Sequence, residues 1–570
     1  MKKALSILFL FYFLQAVYGA DSKPNVLLIV CDDLNDYISG MNSHPQAKTP
    51  NIEKLASSGV MFRRAYSNNP VCAPSRSSFL SGLYPHTSYN FFWSKWFENP
   101  IMKNSNTLME YFKKQGYSVL GTGKLMHHFK KEVWSEYKNK TDYGPYWFNG
   151  KDRTAHPNVP KPMYDVGPID GSFASFDDQP KQKGPKDGWV LGWGSPKLYD
   201  YSEGSSDLTP DERNAQWASQ KLQEFADNQH EDPFFLAVGF VRPHTPLHVR
   251  QKYFDLFPED EVLLPVLKEG DNEDTFYHKI LKRKGHENKG GTYYQNLKEG
   301  YEGKHEGLKK FTRAYLASVA AVDANVGKVI DTLDNTHLKD NTIVVFTSDH
   351  GWNMGQKEHL FKGAPWEESC RVPFVVRAPG VTKQGGIAEH PISLIDLYPT
   401  LTDLCGISGD TRKNEKGIQI DGTSVRPFLE NPKSREWEGP RIAVTMVFDQ
   451  QFDGNPHKQN WSLRSEDFRY IKYSDGTEEL YDHRSDSHEW MNLAMNPEYD
   501  LIKNRIYQEL LSMLPTPEEV TQRSASMKKG KEKNAEKWKN EYFKKNPASD
   551  LNKDGKLSWS EFQEYKKGKK

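Results

Sequence analysis

Two short apolar runs, each ending in acidic residues, limit the folds open to this chain more than any other feature. Val26-Leu27-Leu28-Ile29-Val30 is one, and Thr342-Ile343-Val344-Val345-Phe346 is the other. Unbroken apolar runs of this length suit parallel strands buried on both faces. The first leads into Cys31-Asp32-Asp33, the second into Thr347-Ser348-Asp349-His350-Gly351. In open α/β sheets ligands bind beyond the carboxyl ends of the strands, so the two acidic clusters can converge on one site. Asp32, Asp33 and Asp349 offer hard oxygen donors that suit Ca²⁺ or Mg²⁺ better than a transition metal. Taken singly, each cluster also has a plainer use. Asp-Asp can cap the next helix, and Asp-His-Gly can form a polar turn.

Between these runs lies Cys72-Ala73-Pro74-Ser75-Arg76-Ser77-Ser78-Phe79-Leu80-Ser81-Gly82. Pro74 fits the first turn of a helix, where a missing N–H costs nothing, and Gly82 fits its end. Cys72 then sits at a helix N-terminus, where free N–H groups favour a developing anion. Arg76, one turn along, has the spacing to reach back toward it. The stretch fits C-x-P-S-R-x-x-x-L-x-G and so resembles the type I sulfatases. That resemblance implies a cysteine oxidised to formylglycine by a maturation enzyme, the hydrated aldehyde being the nucleophile. It also implies a Ca²⁺ held by Asp32, Asp33, Asp349, His350 and modified Cys72. Histidine at 350 is the choice of the iduronate-2-sulfatase-like branch.

Further segments carry the same resemblance, which spans roughly residues 24 to 500. Gly123-Lys124-Leu125-Met126-His127 follows a short strand from Tyr117 to Gly121. The apolar run Phe234 to Phe240 leads into Val241-Arg242-Pro243-His244-Thr245-Pro246, and Lys362 lies a dozen residues past Asp349-His350. Sulfate is an anion that fixed cations must neutralise, and Lys124, Lys362 and the metal are the candidates. The departing alkoxide needs a proton, for which His244 is the candidate general acid. By resemblance His127 is the base that expels the covalent sulfate, and Arg76 holds the hydrate. The neighbouring His128 and the nearby His359 stay open as alternatives for these proton transfers. Trp93, in the aromatic stretch Tyr89 to Phe97, can stack on a sugar face, although such a cluster equally serves packing.

With 76 basic and 76 acidic side chains the net charge is zero, which argues against a coat for nucleic acid or another polyanion. Lys2-Lys3, an apolar stretch from Leu5 to Val17 and Tyr18-Gly19-Ala20 describe a signal peptide over residues 1–20. The stretch is short for a membrane span and no cysteine sits at the cleavage point, so a periplasmic or secreted protein without a membrane anchor is expected. Four cysteines, one of them reserved for modification, indicate no disulfide framework. Cys31 reads as a core residue, and a Cys370–Cys405 bridge is conceivable.

Apolar runs alternating with helical stretches indicate a doubly wound α/β domain over residues 24–430, an alkaline-phosphatase/sulfatase-like mixed sheet. Trp461 to Arg464, Phe468 to Tyr473 and Glu479 to Tyr481 indicate a smaller antiparallel-sheet subdomain over 431–515. Residues 151–211 and 268–310 read as surface insertions, where specificity resides. A Lys-rich linker or helix over 516–546 precedes an EF-hand-like motif over 547–570. There Asp550, Asn552, Asp554, Lys556, Ser558 and Glu561 occupy the positions of Ca²⁺ ligands. A solvated charged tail is the plainer account of that segment.

The expected protein is an exported sulfuric ester hydrolase. Its substrate would be a sulfated oligo- or polysaccharide, either algal (ulvan, carrageenan) or a glycosaminoglycan uronate. Its partner in maturation would be a formylglycine-generating enzyme. The alternatives are a phosphodiesterase or phosphonate monoester hydrolase of the same superfamily, and an inactive carbohydrate-binding scaffold.

Overall fold

The computed structural model describes residues 23–180, 184–192, 196–228, 232–283, 288–303, 305–452 and 454–567. The expected signal peptide lies outside the described residues. The large sheet contains β1 (Asn25–Asp32), β2 (Val60–Tyr66), β3 (Ser118–Gly123), β4 (Glu136–Tyr137), β5 (Phe234–Pro243), β6 (Thr342–Ser348), β7 (Arg371–Arg377) and β8 (Gly386–Ala388). Its order is β8-β2-β7-β6-β1-β5-β3-β4, with Ile392–Ser393 also paired to β2. β1 is central and runs parallel to both neighbours, Val26 facing Phe235 on one side and Ile343 on the other. β7 pairs antiparallel with both β6 and β2, which makes the sheet mixed.

The unbroken apolar runs follow from this position. Leu27, Ile29 and Cys31 of β1 point into one core, whose helices include α2 (Pro210–Asn228) and α3 (Glu306–Asp334). Val26, Leu28 and Val30 point into the opposite core with Phe79, Leu108 and Leu401. Both faces of the strand are therefore dry. The helix expected after Cys72 is α1 (Cys72–Ser81), buried along its whole length, with Pro74 in its first turn. It ends at Gly82, whose φ of +68° is in the left-handed region. A side chain there would also meet Ile420 and Tyr398.

The C-terminal sheet has four strands, Ala443–Val447, Asn460–Arg464, Phe468–Lys472 and Glu478–Asp482, all antiparallel. The surface insertion at 151–211 carries strands of its own. Asp187–Val190 pairs with Tyr146–Asn149 in a small second sheet, and Trp147, Trp189 and Tyr201 bury one another. Aromatic burial overrides the turn-rich composition. The segment 268–310 likewise carries helices, Tyr277–Arg283 and Lys289–Gly300. All four cysteines are free and buried, so the conceivable Cys370–Cys405 bridge is not formed.

Residues 516–546 are a helix, Pro517–Lys545, entered through a Thr516/Glu519 capping box. Trp538 stacks on Trp559 at 5.3 Å and meets Phe562 edge-on at 4.9 Å, closing a helix–loop–helix with Trp559–Lys567. No helix among the described residues is long and apolar enough to cross a membrane.

Candidate active site

Parallel pairing sets Cys31 of β1 opposite Ser348 of β6, so the two acidic clusters leave the sheet side by side. Asp33 turns at a positive φ of 62°, and its N–H donates to Asp349 Oδ1 at 3.2 Å. Tyr315 of α3 fixes that turn from below, its hydroxyl donating to Asp33 O at 2.7 Å and accepting from Asn35 N–H. α1 points its first residue at the same place. Cys72 Sγ lies 3.2 Å from His350 Nε2 and 3.2 Å from Lys362 Nζ.

Ligand-type atoms of Asp32, Asp33, Cys72 and His350, all buried, lie within 4.8 Å of one another. Asp349 stands beside this group rather than in it. Its Oδ1 is 3.7 Å from His350 Nε2, while its Oδ2 accepts from Arg76 Nε at 2.8 Å. Asp32 Oδ1 is buried without a hydrogen-bond partner, Arg76 Nη2 standing 3.6 Å away, and so keeps a lone pair for a ligand. Two carboxylates, an imidazole nitrogen and the residue-72 side chain fit a hard divalent cation.

The cations are placed by close backbone packing. Lys124 follows Gly123, whose φ is +79° and whose added Cβ would stand 1.9 Å from Gly239 O. Only glycine lets β3 and β5 approach there, and the lysine is then carried onto Asp32, to which it is ion-paired. Lys362 Nζ donates to both oxygens of Asp33, at 2.8 and 3.0 Å. Arg76 does not turn to Cys72 as its spacing suggested. It donates to Asp349, to Cys31 O at 3.1 Å and to the carbonyls of Lys124 and Leu125, so it clamps three segments together.

Burial and charge divide the two aspartates. Burial pushes the Asp33 carboxyl up to about 8 despite Lys362. Burial acts on Asp32 in the same sense, but Lys124, His244 and Arg76 outweigh it and hold that carboxyl well below its usual range. Burial also raises the Cys72 thiol, with Asp32 adding to it. Both candidate proton-transfer histidines are held neutral. Burial, then Lys362, depresses His244 well below an ordinary imidazole, and burial, then Lys124, lowers His127 to about 3. His244 Nε2 is 3.7 Å from Asp33 Oδ2. His127 packs against Trp93 with ring centroids 4.7 Å apart.

His128 lies behind His127, 5.1 Å between rings, and its carbonyl accepts from Trp96 Nε1. His359 reaches the cavity wall, and burial lowers it to about 3. The stretch from Tyr89 to Phe97 divides between its two readings. Tyr89, Phe91 and Trp96 are buried in cores, whereas Phe92 and Trp93 are exposed at the cavity.

That cavity, about 470 Å³, opens over Cys72, His244 and Lys362. Both insertions line it, through Ile169 and Asp170 and through Tyr277 and Lys289, and so does Phe448 after the first strand of the C-terminal sheet. Sequence reasoning missed Tyr143, whose ring lies 4.8 Å from Lys124 Nζ and 4.8 Å from the His244 ring. It also missed Asp211 at the start of α2. This carboxylate accepts from Val241 N–H at 2.8 Å and Arg242 N–H at 2.9 Å and so fixes the loop to His244. Neither residue stands in an informative pattern, since each matters only through contacts distant in sequence.

At the C-terminus, Gly555 N–H donates to Asp550 Oδ2 at 2.9 Å and Asn552 N–H to Glu561 Oε1 at 3.1 Å. The loop thus wraps its backbone around its own carboxylates. Among the described residues, Asp550, Asp554 and Glu561 do not form a cluster as tight as the one at Cys72.

A mixed sheet of this order, with the helix headed by Cys72 facing acidic strand ends, defines a hydrolase of the alkaline-phosphatase/sulfatase class. A solved phosphonate monoester hydrolase from Silicibacter pomeroyi shares the fold, with a TM-score of 0.64 over 86% of this chain and 95% of that one at 22% identity. The Sulfatase family model matches residues 24–407, and the model for the C-terminal part of N-sulphoglucosamine sulphohydrolase matches 355–516. A sulfatase of Formosa agariphila is 32% identical over 509 residues, covering 86% of each chain. Human iduronate 2-sulfatase is 27% identical over 416 residues, covering 67% of this chain and 69% of that one. The chain belongs to the sulfatase family, the sulfuric ester hydrolases.

Proposed function

We propose that this chain is an exported, formylglycine-dependent sulfatase that removes sulfate from a sulfated carbohydrate and holds Ca²⁺ at Asp32, Asp33, Asp349, His350 and residue 72. The observation that carries this reading is Cys72 at the head of α1, within 3.2 Å of both His350 and Lys362 at the floor of an aromatic-walled cavity. Oxidised to formylglycine and hydrated, residue 72 would supply one hydroxyl to attack sulfur and a second to release sulfate. A bound Ca²⁺ would supply Lewis-acid polarisation of the sulfate and of the attacking hydroxyl.

The chain's own residues do the rest. Lys124 and Lys362 stand on either side of the cluster and can hold two sulfate oxygens in a dry site. Arg76 keeps Asp349 and the backbone of the Lys124 loop in place. By resemblance His127 would take the proton that releases the covalent sulfate, and the anion bound beside it would restore some of the basicity that burial and Lys124 remove. His244 must gain a proton before it can serve the leaving group. The negative charge of a bound sulfate ester beside it favours that form. Phe92, Trp93 and Phe448 give flat apolar walls suited to sugar faces.

His350 and the human iduronate 2-sulfatase relative support placement in the iduronate-2-sulfatase-like branch, and with it a sulfated uronic sugar. The charged start and short apolar stretch of residues 1–20 support export. The EF-hand spacing and the backbone-wrapped loop support a second, structural Ca²⁺ at Asp550–Glu561.

The test is sulfate release. The chain, co-expressed with a formylglycine-generating enzyme, is incubated with sulfated oligosaccharides, an aryl sulfate and a phosphonate monoester. Release of inorganic sulfate from the saccharides upholds the reading. Hydrolysis of the phosphonate alone rejects it in favour of the phosphorus-ester reading.

A further inference from the structure

The cavity over Cys72 is lined by a second lysine that the chemistry at sulfur does not use. Lys289 Nζ lies 4.4 Å from the centroid of Phe361, and Lys362 Nζ lies 5.7 Å from the same ring. Both ammonium groups thus lie by one ring and at most 10.1 Å apart, a span that two anionic groups on one sugar unit can bridge. Lys362 is buried and committed to Asp33 and Cys72, whereas the Lys289 side chain is 43% exposed. Lys289 thus stands toward the mouth and Lys362 at the floor.

Lys289 is held in place. Its ammonium donates to Asp170 Oδ2 at 2.7 Å, and Asp170 Oδ1 accepts from Thr245 Oγ1 at 3.0 Å, next to His244. Asn288 caps the helix that Lys289 begins, accepting from Gly291 N–H at 3.0 Å. The following residue leaves no room to shift. A Cβ on Gly290 would stand 2.1 Å from the His359 ring, and Gly290 O accepts from Leu360 N–H at 3.0 Å. The backbone of Lys289 is thereby fixed to the segment that bears Lys362. An ammonium group has three donors and Asp170 takes one, so the others are available to a ligand in the cavity. An ion pair this exposed is weak and does not hold the lysine back from a second anion.

We propose that Lys289, positioned by Asp170, determines specificity by binding a second anionic group, a carboxylate or a further sulfate, on the sugar unit that carries the scissile sulfate. This rests on the sulfatase reading of the site. A substrate with one sulfate and no other charge would engage the floor cations alone. One with two anions a ring apart would engage Lys362 and Lys289 together.

The experiment compares kcat/KM of wild-type protein, Lys289→Met and Lys289→Arg on three sugars: a neutral monosulfated one, a monosulfated uronic acid and a disulfated neutral one. All proteins are co-expressed with the maturation enzyme. Lys289→Met is expected to lose about 10- to 100-fold more on a doubly charged sugar than on the neutral one, as for a lost charge-assisted hydrogen bond. Lys289→Arg should recover part of that loss. The sugar that shows the loss says whether the second anion is carboxylate or sulfate. Equal loss on all three sugars, or no loss on any, overturns the assignment while leaving the sulfatase reading intact. Wild-type protein that cleaves none of the three rejects the sulfatase reading, and the assignment with it.

Discussion

Among the described residues two clusters bring metal-type ligands within 4.8 Å, and they have opposite electrostatic character. One is Asp32, Asp33, Cys72 and His350, and the other is Glu367, His483 and Glu489. In the second, arginines from two parts of the chain satisfy the carboxylates. Arg469 pairs with both Glu367 and Glu489, and His483 Nε2 lies 2.9 Å from Glu489. Tyr66 of β2 donates to Glu367 at 2.8 Å. Burial there is outweighed by Arg469 and Arg464, and Glu367 is held well below its usual range. That cluster joins the large sheet to the C-terminal one and borders a cavity of about 380 Å³ through Glu367 and His483, but its carboxylates are paired with arginine. At Cys72 one oxygen of Asp32 has no hydrogen bond, Asp33 is driven up to about 8, and a cavity opens above. The difference teaches that convergent acids mark a ligand site where a carboxylate oxygen is left without a partner rather than paired with arginine.

Replacing one residue in each cluster breaks the comparison most sharply. Cys72→Ala should lower sulfate ester turnover by about 10⁴-fold or more, as removal of a nucleophile does, and leave stability within about 1.5 kcal/mol. Arg469→Met should do the reverse. It removes the cation shared by two buried carboxylates and should cost about 3 kcal/mol in urea unfolding, with the turnover of the folded fraction largely kept. Equal loss of activity in both would erase the distinction.

Calcium sharpens it further. At a hundredfold excess over its dissociation constant, Ca²⁺ should stabilise the wild-type chain by about 2.7 kcal/mol per site. Asp32→Asn combined with Asp33→Asn should remove the contribution of the active-site ion, and Asp550→Asn only that of the C-terminal loop. Thermal shifts of the three proteins, with and without chelator, separate the two.

The Cys72 side of this contrast was largely legible in the sequence, and the reasons are local. The runs Val26–Val30 and Thr342–Phe346 gave their burial away because a strand covered on both faces tolerates no polar residue. The Gly-Lys pair at 123–124 and Cys72 to Gly82 carried their backbone requirements in their residue types. Tyr143, Asp211 and the Asp170–Lys289 pair were not legible, because their roles arise where loops far apart in sequence meet. The strands within the insertion at 151–211 were hidden for a related reason. Its glycines and prolines signal turns, while Trp147, Trp189 and Tyr201 find each other only once the chain is folded. The arginine-paired cluster was invisible too, since Glu367 begins a short helix and Arg469 lies on a strand of the C-terminal sheet, about a hundred residues apart.

A third carboxylate tests the rule behind the comparison. Asp396 is buried, accepts from Ser393 N–H and Thr423 N–H at 2.9 Å each, and among the described residues pairs with no cation. Burial raises it to about 7. The folded chain then keeps that proton up to about pH 7, whereas the unfolded chain releases it near pH 4. Stability should therefore fall as pH rises between those values, by on the order of 2 kcal/mol from pH 5 to pH 7. Asp396→Asn should flatten this part of the urea-unfolding profile. An unchanged slope would show that burial without a cation is not what sets the proton affinity.

The central claim is that Cys72 becomes the nucleophile, and the mass of the peptide that contains it tests this most directly. Protein co-expressed with a formylglycine-generating enzyme should yield a peptide that lacks one sulfur and two hydrogens and has gained one oxygen relative to the thiol form. A peptide that keeps its thiol in the presence of a maturation enzyme active on another sulfatase would contradict the account.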